Sequence, residues 1–580
     1  MDDQKIENLL NISLEVSESE REKSRALSTG YNPNEKTWEL IIKYVGDITY
    51  LESKYPGTQV KELLNQYAVV VTAQSNIELL SKETNVEFIE KPKLLQFELL
   101  SGLTESCINS VQQGVNNPYS LFGEGTIVAI IDSGIDATRQ EFRTTDGQTR
   151  ILNIWDQDAD VEVDRNEINA VLNASSNSQT GSAQIPGRDL IGHGTDVALI
   201  ACGNNGVAGK ADIIVVKMGL GSTTSFPRTT QLMEAVDYVI RKGIEYQKPV
   251  AINISFGNNY GDHTGTSLLE SFLNEVSDNW KTTICVGTGN EGLGATHAAG
   301  YLTDDTEREI EIAINEYETS VNIQIWKDYW DDFDVEILTP SGVNLGKISR
   351  YSQVNRLNIG QTTLLTYYGQ PSPFSIRQEI YIDMIPNAEY IDAGIWKLRL
   401  IPNKILFGRY DIWLPAIGSL NIGTGFLSPD SSLTFTIPST AEKVISVGAY
   451  DSRTNTSAPF SGRGYVSQVG GTTVSKPEIV APGVGIQLNL VDQVTGTSFA
   501  TPFVTGAAAL MMEWGIVKEN DPYLYSDKIK AYLIKGARPL SSQRLMGLQS
   551  DGNAVRFTRE GIPNPELGWG TLCLKNSLPV

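Results

Sequence analysis

Apolar residues change their period three times along this chain. Between residues 37 and 90 the runs are short and mixed in type: TWELIIKY, TQVKELL, YAVVVTA and VEFIE read as strands, DITYLESKY and NIELLSKET as helices. Strand, helix, strand, strand, helix, strand in that order predicts a small ferredoxin-like α+β unit. Residues 1–30 are acidic and polar, with helical potential and weak tertiary signals.

From about residue 124 the runs become continuous. GTIVAIIDSG, ADIIVVKMG, PVAINISFGNN, TTICVGTGNEG and EKVISVGAYD are apolar and then turn polar or glycine-rich, as buried parallel strands do where a loop emerges at the carboxyl edge. Helical segments lie between them, among them TTQLMEAVDYVIRKGIEY with apolar residues near a 3.6 spacing. The expected fold class is therefore α/β, with a doubly wound parallel sheet. Between Gly300 and about Pro438 the alternation stops. Segments such as QEIYIDMI, GIWKLRLIP and RYDIWLP, divided by Pro, Gly and Asp, predict an inserted all-β module, a sandwich or jelly roll. The expected organisation is an amino-terminal unit over 1–96, an α/β domain in two parts over 97–300 and 439–580, and the insertion over 301–438.

Composition narrows the function. A chain of 580 residues exceeds what one core organises. A net charge of −23 repels nucleic acid over most of the surface and excludes that partner. The most apolar stretch, FVTGAAALMMEWGI at 503–516, falls short of the ~18–20 residues that span a bilayer, so no membrane span is expected. No apolar h-region opens the chain, so synthesis in the cytoplasm without a signal peptide is expected. Cys107, Cys202, Cys285 and Cys573 lack metal-ligand spacing and read as buried free thiols in a reducing compartment.

Three strings carry candidate chemistry: AIIDSGID with Asp132, IGHGTDVA with His193 and TGTSFATP with Ser498. A serine hydroxyl is a poor nucleophile at neutral pH; it needs an imidazole to take its proton and a carboxylate to fix that imidazole's tautomer. Singly, each string has a duller explanation: a turn, a core histidine, a helix N-cap. Together, in the order Asp, His, Ser, they point to one site.

The chain resembles the subtilisin-like serine proteases in these three strings, in INISFG (252–257) and in KPEIVAPG (476–483). The resemblance implies that Asn290 in GTGNEG is the oxyanion-hole side chain, acting with the Ser498 backbone N–H. It implies that Ser255, Phe256 and Gly257 line the first specificity pocket and pair with an extended substrate, with Gly219 and Gly221 of KMGLG on the opposite wall. Within the family the chain is most similar to the clostridial germination-specific Csp proteases, in TRILNIWDQD (149–158), the β insertion and PNPELGWGTLCL (563–574). That likeness implies a spore protein that activates a cortex-degrading hydrolase precursor by limited proteolysis, alongside related Csp proteins. It also makes 1–96 a prodomain, cleaved by the enzyme itself between Gln96 and Phe97 and retained as a partner.

Two other readings are open. A Csp-like pseudoprotease would signal or scaffold without catalysis, although all three triad residues are present. Alternatively Trp326, Tyr329, Trp330 and Phe333 of the insertion could stack on sugars, although such residues more often fill a core; rigidification of the catalytic domain is favoured. His263 is expected in solvent, and His297 near the cleft without a proton-transfer role. No loop is specific enough to assign calcium or another metal, and no cofactor is expected. Asp196 stands where most subtilases carry a second histidine. In the first turn of a helix it has a structural task beside exposed N–H groups, with room to raise the His193 pKa.

Overall fold

The computed structural model describes residues 5–16, 18, 21, 30–63, 66–92, 98–114, 119–177, 185–218, 227–350, 355–373, 375–469, 472–488, 493–540 and 563–579. The chain divides into two compact units, Met1–Gln96 and Phe97–Val580.

In the first unit, Thr37–Tyr44, Gln59–Leu63, Tyr67–Ala73 and Val86–Glu90 form an antiparallel sheet with the last strand beside the first and the first beside the third. Alternation decides which face is covered: Trp38, Leu40, Ile42 and Tyr44 are buried, while Glu39 and Ile41 between them are exposed. Helices Tyr50–Lys54 and Ile77–Ser81 contribute Leu51, Ile77 and Leu80 to that core. The acidic leader joins it as well, through Ile6 and through Leu10 of helix Asn8–Glu15.

The second unit is built on a nine-stranded sheet. Its parallel centre runs 445–451, 282–287, 250–254, 127–132, 212–217, 151–156 in space, so the first strand in sequence lies in the middle. That reversal of strand order opens a crevice at the carboxyl edge. The strand Ile127–Asp132 is buried on both faces. Ile127, Ala129 and Ile131 pack with helices Thr229–Glu245 and Leu268–Val276, whereas Val128 and Ile130 pack with helices His193–Cys202 and Thr497–Met512. Period two then places Asp132 on the face of the latter pair.

From His297 to Phe426 the chain forms two antiparallel sheets, of six and five strands, around one apolar core that includes Phe333, Trp396 and Ile412. Phe333 is a core residue; Tyr329 and Trp330 are exposed, Trp330 edge-on to Phe407.

Three expectations are corrected. Cys107 and Cys573 form a disulfide, joining the residues that precede helices Ile108–Gln112 and Leu574–Ser577; only Cys202 and Cys285 are free, buried thiols. His263 is buried, not solvated: its ring stacks on Trp413 at 4.2 Å, and His297 stacks on the same indole at 4.8 Å. The apolar stretch at 503–516 belongs to a helical run, Thr497–Val517, that is long and apolar enough to cross a membrane, but 94% of it is buried inside the protein. It is a core helix, enclosed by the parallel sheet and by the His193 helix.

Candidate active site

His193 Nδ1 donates to Asp132 Oδ1 at 2.7 Å. A carboxylate only accepts, so this bond fixes the tautomer and leaves Nε2 as the open, basic nitrogen. Asp132 is fully buried, and Oδ1 also receives the Ser133 N–H at 2.7 Å. Oδ2 is buried and meets no hydrogen-bond donor among the described residues, so the imidazole is the carboxylate's principal partner.

The approach of the two elements depends on Gly194. A Cβ there would lie 2.3 Å from Gly134 O and 3.0 Å from Asp132 Cβ, which no side chain tolerates. The helix start is held by Asp189, which lies just outside the three motif strings. Its Oδ1 accepts from Ile191 N, Gly192 N and Ser133 Oγ, and its Oδ2 from Thr195 N and Thr195 Oγ1, at 2.7 to 3.0 Å. Ser133 Oγ in turn accepts the Gly194 N–H at 2.9 Å. One carboxylate therefore ties the Asp132 loop to the first turn of the His193 helix. Burial would raise the Asp189 carboxyl, but the N–H and hydroxyl donors of Thr195, Gly192 and Ser133 outweigh it and hold the group below the ordinary carboxylate value. An aspartate four residues before the histidine was the available signal.

Burial works to lower the His193 pKa, yet Asp132, then Asp189 and Asp196, outweigh it, and the imidazole sits above its ordinary 6.5. Asp196 lies in the first helical turn and is the smallest of these contributors.

Ser498 is the second residue of helix Thr497–Met512, where backbone N–H groups have no intrahelical partner. Its neighbours locate it. Phe499 stands 5.3 Å, ring to ring, from His193, and Thr497 donates its N–H to Asn290 Oδ1 at 3.1 Å. Because Thr497 N can only donate, the Asn290 carbonyl must face it, and the Nδ2 protons are left for another acceptor. Ser255 Oγ donates to Ser498 O at 3.3 Å and receives Asn253 Nδ2 at 3.0 Å, while Asn253 Oδ1 receives Thr505 Oγ1 at 3.0 Å. Ser255 thus supports the Ser498 turn from below. Phe256 packs into the core of the opposite face, and Gly257 rests against Thr436. Gly219, Gly221, Gln96 and Phe97 lie outside the described residues. His297 is buried, 3.3 Å from Asp411 Oδ1 and away from the proton path. No group of three metal-ligating side chains occurs among the described residues.

A buried aspartate, an imidazole of fixed tautomer, a serine at a helix start and an outward carboxamide can together perform acyl transfer. The family model described as subtilase family matches residues 123–374 and 419–570. The chain belongs to the subtilase family. A second family model, the Csp protease B prodomain, matches residues 4–93. The solved structure of the Clostridium perfringens CspB protease is 36% identical, covers 82% of this chain and 96% of that one, and superposes with a TM-score of 0.72. The PII-type proteinase of Lactococcus lactis subsp. cremoris is 23% identical over 539 residues, 77% of this chain and 26% of that protein. Serine protease AprX of Bacillus subtilis is 34% identical over 135 residues, 20% of this chain and 29% of that protein. The chain spans about a quarter of the length of the curated proteinases it matches most fully. It is thus a subtilisin-like chain with a CspB-type prodomain.

Proposed function

We propose that the protein is a serine endopeptidase that cleaves its own prodomain and activates a cortex-lytic hydrolase precursor by limited proteolysis during spore germination. The observation that carries this reading is the 36% likeness to the CspB protease over 96% of that chain, with the Asp132–His193 pair intact at 2.7 Å. In the proposed reaction Ser498 Oγ attacks the scissile carbonyl while His193 Nε2 takes its proton. Asp132 holds the imidazole and stabilises its charged form. Asn290 Nδ2 and the Ser498 N–H receive the oxyanion, and one such donor lowers the barrier by roughly 3 to 4 kcal/mol. His193 then delivers the proton to the leaving amine, and in a second half-reaction it takes a proton from water, which hydrolyses the Ser498 ester, and returns that proton to Ser498 Oγ. The same chemistry applied to the Gln96–Phe97 bond frees the prodomain, which stays as a partner.

The test compares the purified native chain with Ser498→Ala on a denaturing gel, followed by incubation of each with candidate hydrolase precursors and amino-terminal sequencing. The native protein is expected as two fragments that cut a precursor at one bond, and Ser498→Ala as one inert chain. Identical single bands would remove self-processing; absence of serine-dependent cleavage would leave the scaffold reading in its place.

A further inference from the structure

The six-stranded sheet of the insertion turns one face to the apolar core and the other outward. Along strand Val321–Asp328 the core takes Val321, Ile323 and Ile325, so Asn322, Gln324 and Trp326 point outward. Along strand Arg377–Pro386 it takes Ile380, Ile382 and Met384, which leaves Glu379, Tyr381 and Asp383 outward. The two strands are antiparallel neighbours, with Trp326 opposite Glu379, Gln324 opposite Tyr381 and Asn322 opposite Asp383. Strand Thr362–Tyr368 extends the middle row with Tyr367, opposite Tyr381 and 46% exposed.

Residues 259–262 of the catalytic domain cover one margin of this face. Gly261 N donates to Gln324 Oε1 and Asn322 Nδ2 to the Tyr260 hydroxyl, each at 3.1 Å, which stands the exposed Tyr260 ring along that margin. Beyond it the polar groups are unmatched. Glu379 and Asp383 are half-buried, and neither side chain makes a hydrogen bond or an ion pair among the described residues. Burial alone lifts both carboxyls, that of Glu379 to about 7. Arg377, on the same strand and face, is held by Asp411 at 2.8 Å, and Arg356, across Leu365 from Asp383, forms no ion pair among the described residues. Trp326 Nε1 and Asn322 Oδ1 are buried and also lack a partner among the described residues. Buried polar atoms are normally paired, so the face carries two carboxylates without a counter-charge, one unmet donor and one unmet acceptor.

We infer that this face receives an extended, basic segment of a partner protein, with two Lys or Arg side chains four residues apart on Glu379 and Asp383 and an apolar residue midway over the Tyr381 and Tyr367 rings. The inference stands apart from the protease reading. Glu379 and Asp383 lie about 13 Å apart along one strand, and an extended ligand chain repeats that spacing between its own residues i and i+4. Residue i+2 points to the same side and meets Tyr381. Desolvated carboxylates without a counter-charge gain most from cations, and tyrosine faces add to the attraction. The backbone of such a segment offers a carbonyl to Trp326 Nε1 and an N–H to Asn322 Oδ1. A neutral glycan would supply hydroxyls but leave both charges uncompensated. Anionic partners are repelled by these carboxylates and by the net charge of −23.

The test uses the full chain carrying Ser498→Ala, so that no peptide is cut, and isothermal titration at low salt. The peptide Lys-Ser-Leu-Ser-Lys, flanked by Gly-Ser, is expected to bind at least about tenfold more tightly than its isomer Leu-Lys-Lys-Ser-Ser, with Glu-Ser-Leu-Ser-Glu not bound. Glu379→Gln and Asp383→Asn keep shape and remove charge; each should weaken the first peptide by about tenfold or more and flatten its salt dependence. Tyr367→Ala should weaken it with the salt dependence retained. Thermal melts identify the folded variants, and the comparison of the two lysine isomers needs no variant on the face. Equal affinity for the two isomers, no binding of either at millimolar concentration, or binding that survives Glu379→Gln and Asp383→Asn in folded protein overturns the inference. Binding of cellohexaose or of an N-acetylglucosamine hexamer in place of the lysine peptide assigns the face to a glycan and overturns it as well.

Discussion

At the scale of single residues, the site is a balance of carboxylates around one imidazole. Catalysis needs His193 neutral, and its pKa lies above 6.5 because Asp132, Asp189 and Asp196 outweigh burial. The acidic limb of kcat/KM is therefore expected above pH 6.5. Asp196→Asn should move that limb toward lower pH, by up to about one unit, without loss of the plateau; a limb that stays in place would show that Asp196 does not reach the imidazole. Stability runs the other way. A histidine raised in the folded state contributes stability that is complete below 6.5 and lost as pH climbs through the folded pKa. Asp132, His193 and Ser498 were readable in sequence as candidates because each sits in a short string whose residue types the chemistry demands, and the structure pairs the first two. Asp189, Ser133 and Thr195 were not, because a carboxylate that gathers five donors from two loops and a helix start leaves a single cue in sequence, an aspartate four residues before the histidine.

At the scale of elements, close approach is what the fold supplies. Gly194→Ala is expected to separate the His193 helix from Asp132 and to lower kcat by a hundredfold or more, on the scale of a roughly 1 Å misplacement. Unchanged kcat in a folded variant would show that the helix can shift without consequence. The strands of the sandwich were readable from period-two patterning, but their pairing was not: His297–Tyr301 lies beside Arg409–Trp413, across more than a hundred residues. That pairing creates the buried stack of His263, Trp413 and His297, which no single segment encodes. Burial, then the neighbouring His297, pushes the His263 pKa down to about 4. A depressed histidine pKa means the unfolded chain binds the proton first, so stability is intact above 6.5 and falls as pH drops toward 4, by about 3 kcal/mol when complete. Urea titrations at pH 7 and 4.5 measure it, and His263→Phe should flatten the difference; an equal slope in both proteins would place the loss elsewhere.

At the scale of the whole molecule, the parallel order was legible because buried parallel strands are continuous apolar runs and the helices between them keep their own period. The cross-link was not. Cys107 and Cys573 are 466 residues apart, and only the folded chain brings their Cα atoms to 4.8 Å. Cys573→Ser, or reductant on the native protein, should reduce stability by about 2 to 4 kcal/mol and lower Tm correspondingly. A Tm insensitive to both would mean that the bridge constrains nothing the fold does not already hold. Cys202 and Cys285 stay free and buried, and burial pushes both thiols up to about 12.

The central claim is that Asp132, His193 and Ser498 act as one unit, and a fluorophosphonate probe followed by peptide mapping tests it most directly. Native protein freed of its prodomain should carry the label on Ser498, with His193→Ala cutting the labelling rate by about a thousandfold or more. Labelling that survives in His193→Ala, or a native protein that takes no label at Ser498, would contradict it.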